Sequence, residues 1–157
     1  MSNPYLLELP AVVSFSGGRT SGYMLRKILD AHGGQPDGLV VSFQNTGLEH
    51  PGTYDFIERT AKEWGVDIVW LEYDLDEAGK PTHRVVTPAT ASKNGEPYDR
   101  LIGKKKMLSH PRARLCTGNL KIATLESYLA TLTAFLDGYT NAVGLRADEP
   151  RRSVNML

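Results

Sequence analysis

The sequence predicts an α/β fold, a single domain over residues 1–157 in which helices cover both faces of a parallel sheet. Three short segments rich in apolar and β-branched residues, 11–15, 38–43 and 67–73, have the composition of buried strands. Two segments with apolar residues at helical spacing separate them. This alternation indicates right-handed strand–helix–strand crossovers, which produce a parallel sheet. A length of 157 residues suits one core better than two.

The two helices have recognisable ends. The first begins at Tyr23, after a loop of small residues at 16–22, and stops at the glycine pair 33–34. The second starts near Pro51, a residue suited to a first helical turn, and stops at Gly65. Their apolar faces, which we expect to pack on the sheet, are formed by Leu25, Ile28 and Leu29 and by Tyr54, Ile57, Ala61 and Trp64.

Beyond the third strand the sequence loses its periodicity. Glycine and proline interrupt residues 75–110, which we expect to form a long irregular insertion beside the site. Three consecutive lysines, 104–106, lie within it. Such a run is commonly a solvated surface; the other interpretation is a basic flank that gathers an anionic substrate or partner.

After the insertion the sequence predicts one more helix and one more strand. Thr117 or Asn119 is suited to cap the helix, and residues 142–145 have the composition of a fourth strand. The helix is expected to present a long stripe to the core, formed by Leu125, Tyr128, Leu129, Leu132, Phe135 and Leu136.

The loop after the first strand is the main candidate for a ligand site. Its glycines let the backbone approach an anion, and a helix N-terminus follows it. The hydroxyls of residues 16–21 and the Arg19 guanidinium add hydrogen-bond donors. The alternative is an ordinary strand-to-helix turn capped by serine or threonine. Because loops after parallel strands share one edge of the sheet, we expect residues 45–50 to lie beside this loop.

Four segments of the chain resemble one family. Residues 16–21, SGGRTS, resemble the PP-loop S-G-G-x-[DT]-S, and residues 45–54, NTGLEHPGTY, resemble [ND]-T-G-x-x-x-P-x-T-Y. Residues 114–121, RLCTGNLK, resemble [RK]-x-C-x-x-x-L-K, and residues 144–152, GLRADEPRR, resemble G-[LI]-R-x-x-E-x-x-R. The chain therefore resembles the phosphoadenosine phosphosulfate (PAPS) reductase family, within the PP-loop adenine nucleotide α-hydrolase-like superfamily.

The resemblance implies a HUP-type, Rossmann-like sheet with the first strand central, and an adenine nucleotide, PAPS or ATP, as the ligand. It implies catalytic roles for Lys121 and Arg146, with Arg114 and Cys116 as further candidates. Asp148 and Glu149 would hold the arginines or support Mg²⁺. The implied nucleotide-binding residues are Ser14, Ser16, Gly17, Gly18, Arg19, Thr20, Ser21, Asn45, Thr46, Gly47, Glu49 and Arg152.

Three functions stay open on this basis. The first is PAPS reduction or another sulfur transfer, with thioredoxin or another protein as partner. PAPS reductases act through a cysteine in a C-terminal tail, and residues 151–157 contain no cysteine, so we expect that tail to be absent. The second is an ATP pyrophosphatase that adenylates an acceptor, although Thr20 stands where that group usually has aspartate. The third is a non-catalytic nucleotide-binding module of a larger assembly.

Cys116 is the single cysteine of the chain. A lone cysteine is commonly a small buried hydrophobe, whereas neighbouring Arg114 and Lys121 and a helix N-terminus would favour a reactive thiolate. One thiolate cannot hold an iron–sulfur cluster. The histidines show no ligand spacing, so we expect no metal site held by the protein alone.

Composition suggests an ordinary globular protein, with 41% hydrophobic and 23% charged residues. The formal net charge of zero gives the chain no overall attraction to nucleic acid. We therefore expect it to contact nucleic acid only through a partner complex. No apolar run approaches the ~20 residues that span a bilayer, and residues 1–10 lack the features of a signal peptide. We expect a cytoplasmic protein without membrane contact, and homo-oligomerisation stays open.

Overall fold

The computed structural model describes residues 2–110, 112 and 114–145. Its strands are β1 (Ala11–Ser14), β2 (Leu39–Asn45), β3 (Ile68–Leu75), β4 (Pro81–Val86) and β5 (Thr140–Val143). Its α-helices are α1 (Arg19–His32), α2 (Pro51–Trp64), α3 (Glu96–Lys105) and α4 (Thr124–Leu129). A π-helix, Cys116–Ala123, precedes α4, and a short 3₁₀ helix, Thr133–Phe135, follows it.

The described strands form one sheet in the order β4-β3-β2-β1-β5. β1 pairs with β2 and β5, and β2 pairs with β3, all in parallel, whereas β4 is antiparallel to β3. The predicted α/β fold is therefore confirmed, with an antiparallel strand added at one edge. Within these strands β2 is central, and β1 lies between β2 and β5, which corrects the expectation of a central first strand. β5 begins at Thr140, earlier than the predicted 142.

Helices cover both faces of the sheet, as predicted. Successive side chains of a strand point to opposite faces, so each strand contributes to two clusters. On one face α1 and α2 pack against the sheet, and this cluster includes Leu25, Ile28 and Ile57 from the helices with Val13, Val41 and Trp70 from the strands. On the other face α4, α3 and the π-helix pack, and these clusters include Leu125 and Leu129 with Val12 and Leu71, and Leu101 and Leu120 with Tyr73.

The first helix begins earlier than the sequence indicated. α1 starts at Arg19 with Gly18 at its N-cap, so residues 19–22 form its first turn and not a loop. The predicted ends are confirmed, because Gly33 follows α1 with φ of 73° and Gly65 follows α2 with φ of 60°. Among the helices of the described residues, none is long and apolar enough to cross a membrane.

The segment 75–110, expected to be an irregular insertion, contains β4 and α3. The sequence did not reveal β4 because it is an edge strand in which Val86 is the single buried residue, so no apolar run marks it. The helix α3 is short and polar, and it is fixed to the sheet by the fully buried Leu101. It ends at Lys105, and Lys106 at its C-cap has φ of 56°.

The long helix expected after the insertion is broken into pieces. Thr117 and Asn119 lie inside the π-helix and therefore do not cap a helix. α4 ends at Leu129, where Ala130 takes the C-cap position. Leu136, assigned to the core-facing stripe, is 62% exposed beyond this break. The other five residues of the stripe, Leu125, Tyr128, Leu129, Leu132 and Phe135, do pack in the core, so the apolar pattern was right about burial but did not show where the helix ends.

Candidate ligand-binding groove

A groove opens on the sheet where the order of the strands reverses. From β1 the chain moves across the sheet to β2 and β3, and it later returns to the other side of β1 as β5. Ligands of open α/β sheets bind at such a switch point, beyond the carboxyl ends of the strands. The groove has a volume of about 680 Å³ and is bordered by β1, β5, the loop after β1, the π-helix and the start of α4.

Several sheet residues at the groove are polar, although the same sheet face is apolar further back. Val12 of β1 packs beneath α4, and the next residue on that face is Ser14, which lines the groove. In β2 the corresponding residues are Ser42 and Gln44, and the Gln44 amide donates to the Ser42 hydroxyl at 2.8 Å. Asn141 of β5 lies beside Val12 and also lines the groove. Polar side chains at these positions suit a polar ligand.

Ser21 holds the loop after β1 in shape. Its Oγ accepts the Ser16 backbone N–H at 3.3 Å, lies 2.9 Å from the Ser16 hydroxyl, and donates to the Gly18 carbonyl at 3.1 Å. Gly18 provides no side-chain cap to α1. The first N–H groups of a helix have no intrahelical acceptor and carry partial positive charge. The loop therefore presents an exposed hydroxyl beside a helix N-terminus.

The two glycines of this loop have different roles. Gly17 has φ of 72°, and a Cβ on it would lie 2.7 Å from Thr53 Cγ2 and 2.9 Å from Ile57. Gly17 is therefore required by its backbone conformation and by packing against α2. Gly18 has φ of −95°, and the nearest atom to an added Cβ is Ser16 Oγ at 3.5 Å. A side chain fits at Gly18 but not at Gly17.

One wall of the groove carries charges of both signs. Arg114, Thr117 and Lys121 line it from the segment leading into the π-helix and from the π-helix itself. A π-helical segment within a helix is rare and is frequently found at functional sites. Glu49 and Glu126 line the same groove. No carboxylate among the described residues forms an ion pair with Arg114 or Lys121, so both cations are available to a ligand within the part of the chain that the structure describes.

Other residues that line the groove are uncharged. Tyr139 is one of them; it is 38% exposed, and its ring lies 5.7 Å from that of Phe135. Ile122 and Asn141 line the groove as well. An aromatic ring and an aliphatic side chain beside an amide provide an apolar surface with one donor and one acceptor. This combination is suited to a planar polar ring.

Asn45, expected to bind the ligand, is buried and already fully hydrogen-bonded. Its Nδ2 donates to Glu72 Oε1 and to the Ser92 carbonyl, each at 2.8 Å. Its Oδ1 accepts the Gly47 N–H and the Tyr54 hydroxyl, each at 3.0 Å. The two donors and two acceptor positions of the amide are thereby filled. The expectation is wrong for this residue, which shapes the loop after β2 instead.

Glu72 is the buried partner of that loop, and the sequence analysis missed it. Its carboxylate accepts the Ser92 N–H at 2.6 Å, the Ser92 hydroxyl at 2.9 Å and Arg84 Nη2 at 2.7 Å. Burial acts to raise the pKa of Glu72, but the hydrogen bonds from Arg84, Ser92 and Asn45 outweigh it and hold the pKa below its ordinary value. Glu72 is therefore ionised and fully paired at neutral pH.

The rest of the loop after β2 is also held from within the protein. Thr46 Oγ1 donates to Glu49 Oε1 at 3.0 Å and accepts the Leu48 N–H at 3.3 Å. The Gly47 carbonyl accepts the Gly95 N–H at 3.0 Å, and a Cβ on Gly47 would lie 2.8 Å from that nitrogen. Thr46 and Gly47 are buried, so Glu49 is the residue through which this loop reaches the groove.

The predicted site residues thus separate into three groups. Those that line the groove are Ser14, Ser16, Ser21, Glu49, Arg114 and Lys121. Those outside its lining are Gly17, Gly18, Arg19, Thr20, Asn45, Thr46, Gly47 and Cys116. Those that lie outside the described residues are Arg146, Asp148, Glu149 and Arg152. Groove residues that the sequence analysis did not identify are Gln44, Thr117, Glu126, Tyr139 and Asn141.

Cys116 packs as a small hydrophobe. It lies against the cluster beneath the π-helix that contains Leu115 and Leu120, and its Sγ is 3.5 Å from the Ser109 hydroxyl. Cys116 is half-buried, and this position fits the interpretation of it as a small apolar residue. Within residues 2–110, 112 and 114–145, no group of three or more His, Cys, Asp or Glu side chains is placed to hold a metal ion.

No family model matches the sequence. Among curated proteins, the chain is similar to the uncharacterized nin region protein ORF290 of Escherichia phage lambda, with 34% identity over 146 residues. The aligned region covers 90% of this chain and 49% of ORF290. The chain therefore spans about half the length of this relative.

Proposed function

We propose that this chain is an adenine-nucleotide-binding domain of the PAPS reductase-like kind, with a HUP-type fold, that acts in sulfonucleotide reduction or sulfur transfer. The observation that carries the proposal is the composition of one groove. Ser16 and Ser21 of the loop after β1 line it together with Arg114 and Lys121, which lie about a hundred residues away in sequence. Glu49 and Gly144 line the groove as well, so each of the four motifs that resemble this family contributes a residue at the switch point of the sheet.

The anionic end of the nucleotide would bind beside the loop after β1. There the N-terminus of α1 supplies neutral donors, and Arg114 and Lys121 supply charged ones. Hydrogen bonds between such cations and phosphate or sulfate oxygens are stronger than neutral ones. The two cations would also stabilise the negative charge that develops on the leaving phosphate when the sulfonate is transferred.

The nucleoside would bind beside the uncharged residues of the groove. The Tyr139 ring and Ile122 offer surface to the base, and the Asn141 amide can both donate to and accept from its edge. The carboxylate of Glu126 is suited to accept hydrogen bonds from ribose hydroxyls. Cys116 does not line the groove, so the thiol that would attack the sulfonate is not assigned to it.

One observation favours a second candidate function, cleavage of ATP between the α and β phosphates. Glu49 and Glu126 both line the groove, and carboxylate oxygens are preferred ligands of Mg²⁺. Together they would fit the metal ion that accompanies ATP, and that ion would neutralise charge on the phosphates. Adenylation of an acceptor would then release pyrophosphate. Nucleotide binding without turnover would indicate the third function, a non-catalytic module.

The test is a calorimetric titration under reducing conditions with PAPS, adenosine 3′,5′-bisphosphate, and ATP with Mg²⁺. We expect at least one ligand to bind, and Lys121→Ala to weaken it by roughly tenfold, because a charged hydrogen bond worth about 1.5 kcal/mol is lost. The matched control is Lys62→Ala, an exposed lysine of α2 on the opposite face of the sheet. Failure of all three ligands to bind, or an equal loss in the control, would contradict the proposal.

Product analysis separates the three functions. Release of sulfite from PAPS in the presence of thioredoxin selects sulfonucleotide reduction. Release of pyrophosphate from ATP selects the adenylating function. Binding without either product leaves the non-catalytic module.

A further inference from the structure

Charge is unevenly distributed along this electrically neutral chain. Residues 100–125 contain seven lysines and arginines and no aspartate or glutamate, although the whole chain has 18 of each sign. The remainder of the chain is correspondingly acidic. A segment with a single sign of charge creates a local positive potential, which is the electrostatic footprint of an anionic partner.

The structure exposes the middle of this segment beside the groove. Lys105, Lys106, Arg112 and Arg114 are all exposed, and we call these four residues the basic surface. No carboxylate of the described residues forms an ion pair with any of them. Arg114 belongs both to the basic surface and to the lining of the groove. Arg114 is therefore the residue that the basic surface and the groove share.

The three other cations of the segment, Arg100, Lys104 and Lys121, are not part of the basic surface. Arg100 lies 3.6 Å from Asp74 and donates to the Tyr73 carbonyl, so its charge is already used. The Lys104 ammonium lies beside Gly79, 3.8 Å from where a Cβ on that glycine would be. The same turn contains the carboxylates of Asp76 and Glu77. Arg100 and Lys104 are therefore left out of the basic surface, and Lys121 is treated with the groove that it lines.

We propose that the basic surface binds the phosphate backbone of a double-stranded nucleic acid and holds it at the mouth of the groove. Lysine and arginine side chains contact phosphates without a pocket and without reading sequence. Lysine is depleted at protein–protein interfaces, which disfavours an acidic protein as the partner. No aromatic residue lies in 100–125, so stacking on the bases of a single strand is not provided there.

This inference goes beyond the proposed nucleotide site, because it concerns a macromolecule that the groove does not enclose. It also revises the expectation from net charge. A net charge of zero predicted no direct contact with nucleic acid, but a sum over the chain conceals a surface on which one sign predominates. The basic surface and the groove can be tested separately, since three of its four residues lie outside the groove lining.

The test is fluorescence anisotropy of a short labelled DNA duplex, titrated with the full chain between about 50 and 200 mM salt. Four phosphate contacts predict a slope of about −3.6 in the plot of log affinity against log salt. For the variant Lys105→Gln/Lys106→Gln/Arg112→Gln the slope should be shallower by about 2 to 3 units. The variant should also bind the duplex at least about tenfold more weakly at the lower salt.

The matched control carries the same change in charge on the opposite face of the sheet. Lys27→Gln/Arg59→Gln/Lys62→Gln alters three exposed cations of α1 and α2. We expect it to bind the duplex with unchanged affinity. Both triple variants should unfold at the wild-type temperature and keep the wild-type affinity for whichever nucleotide the groove binds.

Three results would overturn the proposal. One is absence of duplex binding by the wild type at the lower salt. Another is an equal loss of affinity in both triple variants, which would indicate attraction by total charge alone. The third is stronger competition by polyglutamate than by duplex at equal charge, which would indicate an acidic protein. None depends on the nucleotide titration, so failure of one proposal does not decide the other.

Discussion

The substitution Glu72→Gln removes the charge at the centre of a buried network while keeping the shape of the side chain. Glu72 is 0% exposed and accepts hydrogen bonds from Asn45, Ser92 and Arg84. Glutamine replaces one of the two acceptor oxygens by an NH₂ group. That group will face either the Arg84 guanidinium and the Ser92 hydroxyl, or the Asn45 amide and the Ser92 N–H. In either orientation the new NH₂ group, itself a hydrogen-bond donor, faces other donors.

The expected loss follows from the partners. A hydrogen bond to a charged group contributes about 1.5–3 kcal/mol, and breaking a buried ion pair costs about 3–5 kcal/mol. The Arg84 side chain is 42% exposed, so it can turn toward water when its partner is neutral. The Ser92 hydroxyl can rotate to accept instead of donating. We therefore expect the free energy of unfolding to fall by roughly 2–3 kcal/mol.

Urea denaturation at neutral pH measures this loss, with Glu77→Gln as the matched control. Glu77 is an exposed carboxylate after β3, and its substitution should change the free energy of unfolding by less than about 0.5 kcal/mol. A loss below about 1 kcal/mol for Glu72→Gln, or equal losses for the two variants, would refute the reasoning from the network.

The pH dependence supplies a second measurement of the same residue. A carboxyl group with a lowered pKa in the folded state contributes stability above its unfolded pKa, and this contribution is lost as pH falls through the folded pKa. The difference in unfolding free energy between wild type and Glu72→Gln should therefore be constant near neutral pH and shrink below about pH 4. A difference that grows on acidification would contradict the assignment.

Two further predictions concern the loop after β1 and a half-buried histidine. Gly17→Ala should lower the free energy of unfolding by about 1–3 kcal/mol in urea denaturation, because its Cβ would lie 2.7 Å from Thr53 and its φ is 72°. Gly18→Ala is the control and should be tolerated. Equal losses of stability in the two variants would contradict this packing. Burial lowers the pKa of His83, whose Nδ1 lies 2.8 Å from the Ser127 hydroxyl. The unfolded chain therefore takes up a proton first, so stability should fall as pH drops below about 6.5, and His83→Gln should reduce that loss. An NMR titration of the His83 ring with an ordinary midpoint would overturn this prediction.

The first half of the fold was predictable because periodicity reports burial. In β1, α1, β2, α2 and β3 the apolar residues follow the period of their element, and each element has one or two buried faces. β4 is different, because an exposed edge strand needs no apolar face on its outer side. The π-helix and the end of α4 also escaped detection, since the apolar pattern continues to Leu136 although the helix does not.

The site was predictable by residue type but not by role. The motif at residues 45–54 correctly marked a loop beside the groove, yet Asn45 itself contacts Glu72 and not open space. Asn45 and Glu72 are paired in the register of β2 and β3, and the sequence does not specify that register. An acidic residue within an otherwise apolar strand was the available signal, because a buried charge requires partners. Ser42 and Gln44, the polar residues of β2 on the same sheet face as Ser14, were a similar signal.

Unfilled hydrogen-bonding capacity separates the residues that touch a ligand from those that hold the site in place. Asn45 and Glu72 are buried, and their polar atoms are already paired, so substituting them should lower stability and leave nucleotide selectivity to other residues. Lys121, Glu126 and Asn141 are exposed in the groove and available to a ligand. A variant at Lys121 should therefore change nucleotide affinity and leave the unfolding free energy constant. Glu72→Gln should lower the unfolding free energy and leave nucleotide affinity constant, at temperatures where both variants are folded. If the two effects could not be separated in this way, the distinction between supporting and contacting residues would be wrong for this groove.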